Sequence, residues 1–465
     1  MERESVPSPT VTPTESEFHE PPYPPAGYAW YVLGVLMVVY VLSFIDRQIM
    51  SLLVEPIKAD LGVTDREMGW LMGPAFAIFY TLFGIPLGWL ADRKSRRGII
   101  AIGIAIWSLM TACCGLVRTY LNLFLFRIGV GIGEAALSPA AYSLLTDYFP
   151  RQRLATVISI YGMGIYIGSG LAYLLGGLVV RYAMGQGELV VPLFGEIRAW
   201  QIVFLVVGVP GLLFALLLLT VREPVRRAFY ARAASCGPER HASLAEVARY
   251  LRDNRWAFVC HNAGFAFLAF VGYAGIMWIP TFFQRIHGWS PAQTGFWYGI
   301  IIMTCGSAGI VYGGALADRF VRRGYANGKM LSGVISAVAV IPFGIYYPLA
   351  PNGTYAMIAL APLTFALAMP FGCAPAAMQE MMPKTMRAQA GAIYLFVVNL
   401  IGIGLGPLAV AQFTERVFRD LNKVHYSLLV VGTLGGLVAL VFLVAGLKPF
   451  ARSLEYLKTY EAGNA

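Results

Sequence analysis

Twelve long apolar runs separated by short polar turns dominate this chain. Each run reaches about 20 residues, the length that a helix needs to cross the hydrocarbon core of a bilayer. A membrane-spanning barrel would show alternating segments of about 10 residues instead. The pattern predicts an all-α membrane protein of 12 transmembrane helices, six in each half. The runs lie near residues 28–54, 68–91, 98–117, 119–147, 153–183, 200–221, 256–284, 293–317, 329–350, 354–381, 388–415 and 425–447.

Polar segments divide the chain into five predicted regions. Residues 222–255 are rich in arginine and contain Ser243 three positions before Glu246, a capping-box spacing that predicts a short amphipathic helix. Residues 1–26, rich in Pro, Ser, Thr and Glu, predict a disordered tail. The regions are a tail (1–26), an N-terminal six-helix bundle (27–221), a cytoplasmic linker (222–255), a C-terminal six-helix bundle (256–448) and a cytoplasmic tail (449–465).

Composition agrees with a membrane protein and excludes a nucleic-acid partner. The chain is 58% hydrophobic and 13% charged, whereas soluble proteins contain about 25% charged residues. The net charge of +10 comes largely from arginines in the central linker and in the loops after spans 2, 4, 8 and 10. Positive residues mark cytoplasmic loops. Both termini are therefore predicted to be cytoplasmic.

The two halves repeat each other. Gly88-Trp-Leu-Ala-Asp92-Arg93 follows span 2, and Gly314-Ala-Leu-Ala-Asp318-Arg319 follows span 8. A second repeat pairs Asp147-Tyr-Phe-Pro150 with Glu380-Met-Met-Pro383. Parallel six-helix repeats are typical of one large group of transporters. The repeats predict two pseudo-symmetric bundles.

The repeated loop resembles the signature of the major facilitator superfamily, G-x-L-x-D-R followed by basic residues, although Ser95 stands where a second glycine is usual. The resemblance implies a substrate cavity between the bundles and alternation between inward-open and outward-open states. It also implies a cytoplasmic gate formed by the loop residues and their acidic partners. A positive-inside signal explains Arg96 and Arg97 equally well, so Asp92 and Arg93 are preferred. The predicted gate comprises Asp92, Arg93, Asp147, Asp318, Arg319 and Glu380.

A narrower likeness lies in Phe44-Ile-Asp46-Arg47 on span 1 and in Phe126-Arg127 with Gly131-Ile-Gly133-Glu134 on span 4. This combination resembles the spinster family, proposed exporters of sphingosine-1-phosphate and lysophospholipids in animals. Short loops and a reduced tail are closer to a bacterial relative. The resemblance implies a lipid substrate and a bacterial inner membrane.

Four charged residues form the predicted substrate or proton site: Asp46, Arg47, Arg127 and Glu134. A charge inside a span costs at least about 2.5 kcal/mol, which favours a functional role. Residues seven apart, such as Arg127 and Glu134, share one helix face. Counted from the outer ends of their spans, Asp46 and Arg127 lie at equal depth, about 12 Å, and Glu134 lies about 10 Å deeper. Asp46 is therefore predicted to pair with Arg127.

That pairing leaves Arg47 and Glu134 as the likelier headgroup and proton sites. Guanidinium groups bind phosphate or carboxylate bidentately, so Arg47 and Arg127 can supply positive charge for a headgroup. Protonation of Asp46 or Glu134 could exchange their partners. A static salt bridge that only stabilises the bundle remains the alternative. Tyr166, Tyr173 and Asn399 are weaker candidates for the cavity wall.

The preferred function is a secondary-active or facilitative transporter, acting as a monomer, of an amphipathic anionic lipid such as a lysophospholipid or sphingoid phosphate. The sequence contains no phosphate-binding loop, serine elbow or metal-ligand cluster, so no enzyme activity, metal or cofactor is expected, and proton coupling is left open. The alternatives are a proton-linked porter of a small organic anion or drug-like compound, and a non-transporting lipid receptor or scramblase.

Overall fold

The computed structural model describes residues 22–186, 189–191, 195–227 and 243–463. In the first half of these residues, the elements are α1 (Ala26–Gln48), α2 (Val54–Leu61), α3 (Asp65–Met72), α4 (Pro74–Ala91), α5 (Arg96–Cys114), α6 (Tyr120–Glu134), α7 (Leu137–Tyr148), α8 (Arg151–Gln186), β1 (Leu189–Val191), β2 (Gly195–Ile197) and α9 (Ala199–Leu218). In the second half they are α10 (Leu244–Asp253), α11 (Arg255–His287), α12 (Pro291–Ile301), α13 (Ser307–Arg322), α14 (Gly328–Leu349), α15 (Gly353–Glu380), α16 (Arg387–Val398), α17 (Gly406–Gln412) and α18 (Val424–Gly463). Short 3₁₀ segments span Ile49–Leu52, Lys384–Met386 and Leu421–Lys423, and π-helical segments span Ile302–Gly306, Asn399–Leu405 and Phe413–Phe418.

Twelve helical segments within the described residues are long and apolar enough to cross a membrane. Several of these spans consist of successive helices, such as α3 with α4 and α6 with α7. The predicted all-α membrane fold is therefore confirmed. A short antiparallel hairpin, β1–β2, lies between spans 5 and 6 and was not predicted.

The helices pack as two similar bundles. In the first bundle, α5 contacts α6 and α9, while α4 contacts α6. In the second bundle the equivalent helices make equivalent contacts, because α14 contacts α15 and α18, while α13 contacts α15. The sequence repeat thus corresponds to a structural repeat.

The linker helix α10 has the predicted capping box. The Ser243 hydroxyl accepts a hydrogen bond from the Glu246 amide at 3.2 Å, and the Ser243 amide donates to the Glu246 carboxylate at 2.8 Å. On the same helix, Tyr250 donates to the Met381 carbonyl at 2.8 Å, and its ring lies 5.6 Å from that of Tyr456. Helix α10 is therefore attached to the C-terminal bundle.

The predicted end of the last span differs from the observed end. The last helix does not end near residue 448, because α18 continues to Gly463, so most of the predicted C-terminal tail is helical. Its aromatic contacts with α10 account for this extension, since they give the last turns a packing partner. Residues 1–21 of the predicted disordered tail and residues 228–242 of the linker lie outside the described residues.

The bundles meet at the end opposite the chain termini, here called the far end. Arg285, at the end of α11, donates to both carboxylate oxygens of Asp65 on α3, at 2.6 and 2.7 Å. Arg285 also donates to Glu55 at 2.8 Å, and Lys58 forms an ion pair with Asp65. The Asp65 carboxylate is fully buried. A bidentate pair of this kind fixes geometry as well as charge, so it joins the two bundles.

Glycines at the same end let the bundle backbones approach closely. A Cβ atom on Gly170 of α8 would lie 2.6 Å from the carbonyl oxygen of Gly299 on α12. One on Gly69 of α3 would lie 2.8 Å from the Cβ atom of Ala411 on α17. Small residues permit such close helix contacts within membranes. The far end of the molecule is therefore tightly closed.

We predict that Asp65→Asn destabilises the protein far more than Glu55→Gln does. Removing one partner of a buried pair costs about 3 to 5 kcal/mol because the other charge stays buried. The Glu55 side chain is 40% exposed, and exposed pairs contribute about 1 kcal/mol or less. The measurement is the thermal unfolding midpoint of each purified variant in detergent. Equal midpoints for the two variants would contradict this account of the far end.

Candidate functional site

Four charged side chains lie in the middle of the N-terminal bundle. Asp46 and Arg47 belong to the last turn of α1, directly before the 3₁₀ segment Ile49–Leu52. Arg127 and Glu134 lie on α6, which ends at Glu134. Their exposed fractions are 3%, 4%, 1% and 2%, in the order Asp46, Arg47, Arg127 and Glu134. The structure therefore brings all four predicted site residues into one buried region.

The Arg47 guanidinium is held by one carboxylate and several aromatic rings. It donates to Glu134 Oε2 at 2.5 Å. Its central carbon lies 4.7 Å from the ring centroid of Phe44, 4.5 Å from that of Phe76 and 5.1 Å from that of Tyr80. A desolvated cation over an aromatic face gains about 2 kcal/mol or more. Arg47 thus has both a charge partner and an aromatic surface in place of water.

The predicted pairing of Asp46 with Arg127 is wrong. The Asp46 carboxylate accepts a hydrogen bond from the Thr111 hydroxyl at 3.2 Å, and the ion pair in this region joins Arg47 to Glu134. Depth counted along separate spans ignores helix tilt and the reach of a long arginine side chain. These two effects allow Arg47 to reach a carboxylate that residue counting placed deeper.

Of the four charged residues, Arg127 has the fewest polar contacts. Its central carbon lies 5.5 Å from the ring centroid of Phe76. Its Nε and Nη2 atoms are buried and have no hydrogen-bond partner among the described residues. Buried polar groups are nearly always hydrogen-bonded. Two hydrogen-bond donors of Arg127 are therefore unpaired within the described part of the chain.

A cavity of about 80 Å³ lies between the bundles and is separated from Arg47 by wall residues that contact it. Phe44 connects the two regions, because it contacts Arg47 and also lines the cavity. Tyr273 does the same from the C-terminal bundle. The rest of the wall in that bundle is mainly apolar: Leu268, Ala269, Gly272, Ile276, Tyr298, Ile302, Thr364, Leu367 and Phe371. The cavity thus has a charged neighbour on one side and an apolar wall on the other.

The three weaker cavity candidates have different positions. Tyr166 lines the cavity, and its ring lies 6.1 Å from that of Phe371. Tyr173 lies nearer the far end, where it accepts from Ser51 at 3.0 Å and donates to the carbonyl of Ile276. Asn399 is half-buried at the start of a π-helical segment and does not line this cavity. Only Tyr166 is placed as expected.

Arg96 is the central residue of the predicted gate region, at the end of the molecule that carries the arginine-rich loops, here called the basic end. It is 1% exposed and forms ion pairs with Asp147 and with Glu223, the latter at 2.7 Å. Glu223 also accepts from the Arg97 amide at 3.0 Å and from Ser95 at 2.9 Å. These contacts attach the start of the linker to the N-terminal bundle.

Burial raises the pKa of Glu223, but the hydrogen bonds from Arg96 and Arg97 outweigh that effect. The net result is a pKa below the ordinary value for a glutamate. A lowered pKa means that the folded protein prefers the ionised carboxylate. Glu223 is therefore bound here as an anion.

The residues preferred from the sequence do not form a gate in this conformation. Asp92 and Arg93 are exposed, and Arg93 stacks on Trp89 at 3.9 Å. Asp318 and Arg319 are exposed as well. Glu380 pairs with Lys329 at 2.6 Å, within its own bundle. The gate contacts observed for Arg96, Asp147 and Glu380 thus stay within one bundle or its linker.

Several residues around the site were missed in the sequence. Phe76 and Tyr80 follow each other at helical spacing on α4, but such a pair is indistinguishable from ordinary core residues. Thr111 and Gln48 carry only a neutral polar group inside an apolar run, and the position of Gln48 next to Arg47 was the one available signal. Among the described residues, no three His, Cys, Asp or Glu side chains come together as a metal site.

Known proteins are similar to this chain over most of its length. A family model described as Major Facilitator Superfamily matches residues 36–407. An MFS-type efflux pump of Mycolicibacterium smegmatis is 29% identical over 402 residues, covering 85% of this chain and 86% of the pump. The protein spinster of Drosophila melanogaster is 25% identical over 411 residues, covering 85% of this chain and 63% of its own length.

A solved structure is similar to this chain over nearly its whole length. It is a bacterial homologue of the human lysosomal transporter Spinster in an inward-facing and unoccupied conformation. The two chains are 29% identical with a TM-score of 0.71, and the match covers 94% of this chain and 99% of the other. The likeness to spinster proteins therefore extends over nearly the whole fold.

We predict that Arg47 and Glu134 are energetically coupled. Glu134→Met leaves a buried guanidinium without its counter-charge, which costs about 3 to 5 kcal/mol. The double variant Arg47→Met/Glu134→Met removes both charges, and apolar replacement of a whole buried pair is often neutral. Its thermal unfolding midpoint should therefore exceed that of Glu134→Met. Distant sites are expected to be additive, so Glu134→Met combined with Arg285→Met is the control. If the effects of the two substitutions at the ion pair on stability add in the same way as those of this control, the coupling is ruled out.

The attachment of the linker by Glu223 should weaken in acid. Because its pKa is lowered in the folded state, the stabilisation is present above the pKa of the unfolded chain and is lost as pH falls through the folded value. At neutral pH, Glu223→Gln should speed amide exchange in residues 95–98 and 220–227 about fivefold, equivalent to roughly 1 kcal/mol. Hydrogen–deuterium exchange between pH 7 and pH 4 measures this. A difference between wild type and variant that stayed constant over the whole range would show that the carboxylate charge is not responsible.

Proposed function

Because the chain belongs to the Major Facilitator Superfamily, in which it resembles the spinster proteins, we propose that it transports an amphipathic anionic lipid of the lysophospholipid or sphingoid-phosphate class by alternating access. The observation that carries this proposal is the pair of buried arginines Arg47 and Arg127, of which Arg47 contacts Phe44 in the wall of a mainly apolar cavity between the bundles. A substrate with an anionic head and an acyl chain matches both surfaces.

The headgroup would bind to Arg127 and Arg47. Arg127 has two buried nitrogen atoms without a partner among the described residues. Guanidinium groups bind phosphate through parallel hydrogen bonds and stay protonated. Arg47 would join by exchanging Glu134 for the headgroup.

The acyl chain would lie in the cavity, against the wall that the C-terminal bundle provides. A second small cavity, of about 30 Å³, lies deeper in that bundle and shares Gly272, Ile276, Tyr298, Thr364 and Leu367 with the first. The shared residues would form a mainly apolar route for the chain away from the charges. Burying each methylene group of a chain contributes about 0.8 kcal/mol.

Protons would couple to transport through Glu134 and Asp46. Protonation of Glu134 removes the charge that holds Arg47, which frees the guanidinium for an anionic headgroup. Asp46, held by the neutral Thr111 hydroxyl, is the second candidate. A site that changes partner on protonation biases the balance between two conformations.

The conformation would be open to the cytoplasm. The far end is closed by Arg285 and Asp65, whereas Asp92, Arg93, Asp318 and Arg319 at the basic end are exposed. The positive-inside rule makes that basic end cytoplasmic, in a bacterial inner membrane with both termini inside. The similar solved structure is described as inward-facing. In the opposite state, the exposed loop residues would meet across the basic end, and the protein would work as a monomer.

A porter of small organic anions or drug-like compounds is the second candidate, favoured by the likeness to an efflux pump. A lipid receptor or scramblase is the third. In these cases the same arginines would bind a small anion, or lipid would bind without directional transport.

We predict directional, pH-sensitive flux of 1-acyl lysophosphatidic acid into proteoliposomes that contain the wild-type protein. Arg127→Gln should lower the initial rate at least about tenfold, because a lost hydrogen bond to a charged group costs roughly 1.5 to 3 kcal/mol. Glu134→Gln, which mimics the protonated carboxyl group, should abolish the pH sensitivity of the flux. Arg416→Gln, a change of an exposed arginine, should leave the rate unchanged.

Other outcomes would reject the lipid transporter. Flux of a sugar acid without flux of the lysolipid would favour the small-anion porter. Tight lysolipid binding without flux would favour a receptor. Non-directional movement of ordinary phospholipids, unaffected by Arg127→Gln, would favour a scramblase.

A further inference from the structure

Gln48 carries a buried side-chain amide that is unpaired within the described part of the chain. It is the last residue of α1, directly after Arg47, and is 1% exposed. Neither its Oε1 nor its Nε2 atom has a hydrogen-bond partner among the described residues. An unsatisfied buried polar group of this kind destabilises a protein by about 1 to 3 kcal/mol. An apolar residue of the same size would serve the fold better.

The local backbone does not need this amide. The Gln48 carbonyl accepts from the Ser51 hydroxyl at 2.7 Å, and the Ser51 oxygen also lies 3.0 Å from the Tyr173 hydroxyl. Ser51 therefore connects the end of α1 to its surroundings. The side chain of Gln48 is left free for another role.

Gln48 lies between the two surfaces of the proposed substrate site. It lines the central cavity together with Phe44, which also contacts the Arg47 guanidinium. Ser169 and Tyr166 on α8 and Thr364 on α15 line the same cavity. Neutral hydrogen-bonding groups from both bundles thus line the cavity together with Gln48.

We propose that Gln48 recognises the neutral hydrogen-bonding group, an ester, hydroxyl or amide, that joins the anionic head of the substrate to its acyl chain. The amide can donate two hydrogen bonds and accept through its carbonyl oxygen, which matches a glycerol ester with an adjacent hydroxyl. This inference rests on the proposed function and adds a selectivity to it. A site built to bond such a group rejects an analogue that lacks it, because the buried amide stays unpaired.

The experiment compares two probes with the same charge and chain length. One is 1-myristoyl lysophosphatidic acid, which has an ester and a hydroxyl, and the other is tetradecyl phosphate, which has neither. Dissociation constants are measured by calorimetry on the full-length protein in nanodiscs. Wild type should bind the lysophosphatidic acid about tenfold more tightly, equivalent to 1.4 kcal/mol.

Gln48→Met keeps the length of the side chain and removes its hydrogen bonds. We expect this variant to bind both probes equally while its affinity for tetradecyl phosphate stays at or above that of wild type. Gln379→Met, a change of an exposed glutamine at the end of α15, should keep the tenfold preference. Gln48→Asn, which retains a shorter amide, provides a second variant with an intermediate preference if the methionine variant does not fold.

The results separate this inference from the proposed function. Binding of both probes without preference by wild type, or a full preference in Gln48→Met, overturns the role of Gln48 and leaves lipid transport standing. Binding of neither probe by wild type overturns both.

Discussion

The ion pair between Arg47 and Glu134 lies where an unpaired charge would be most unfavourable, inside a bundle of apolar spans. Its partners come from spans 1 and 4, so the two spans must stay in register for either charge to be tolerated. Glycines make this packing close enough. A Cβ atom on Gly131 would lie 2.7 Å from the carbonyl oxygen of Phe76, and one on Gly133 would lie 2.7 Å from the amide nitrogen of Trp107. The glycines of span 4 thus bring Phe76 and its neighbours around the guanidinium.

The two bundles divide the chemistry of the site unequally. Span 1 supplies Asp46, Arg47 and Gln48, whereas its repeat partner, span 7, lines the cavity with Leu268, Ala269 and other apolar residues. The fold is therefore pseudo-symmetric in its helix contacts but asymmetric in its polarity. This asymmetry is the basis of the proposed substrate, whose anionic head would meet the polar side and whose acyl chain would meet the apolar wall.

The sequence predicted the fold well because its signals are long and repeated. Apolar runs predicted the twelve spans, and the Gly88 and Gly314 repeats predicted the two bundles. The sequence predicted that the four intramembrane charges lie together, but it did not predict which of them form an ion pair. Which carboxylate Arg47 meets depends on tilt and side-chain reach, neither of which is encoded by residue spacing.

Three further residues near the site or the basic end were not singled out from the sequence: Arg96, Gln48 and Thr111. The role of Arg96 depends on Glu223, a linker residue that only the folded chain brings to it. Gln48 and Thr111 carry no charge, so they did not stand out within apolar runs. Thr111 donates to Asp46 and Gln48 lines the cavity, and a single sequence does not show these spatial contacts.

The contacts at the two ends set the condition for transport. The far end is closed by a bidentate ion pair and by direct glycine contacts, while the arginine-rich end keeps its loop charges exposed or bound within one bundle. A transporter must exchange these arrangements at nearly equal free energy, because a ligand shifts an equilibrium only by its differential affinity for the two states. The cost of breaking the Arg285 pair must therefore be offset by new contacts made elsewhere in the other conformation. In the proposed mechanism, a headgroup that releases Arg47 from Glu134 acts between spans 1 and 4, because the ion pair joins these two spans.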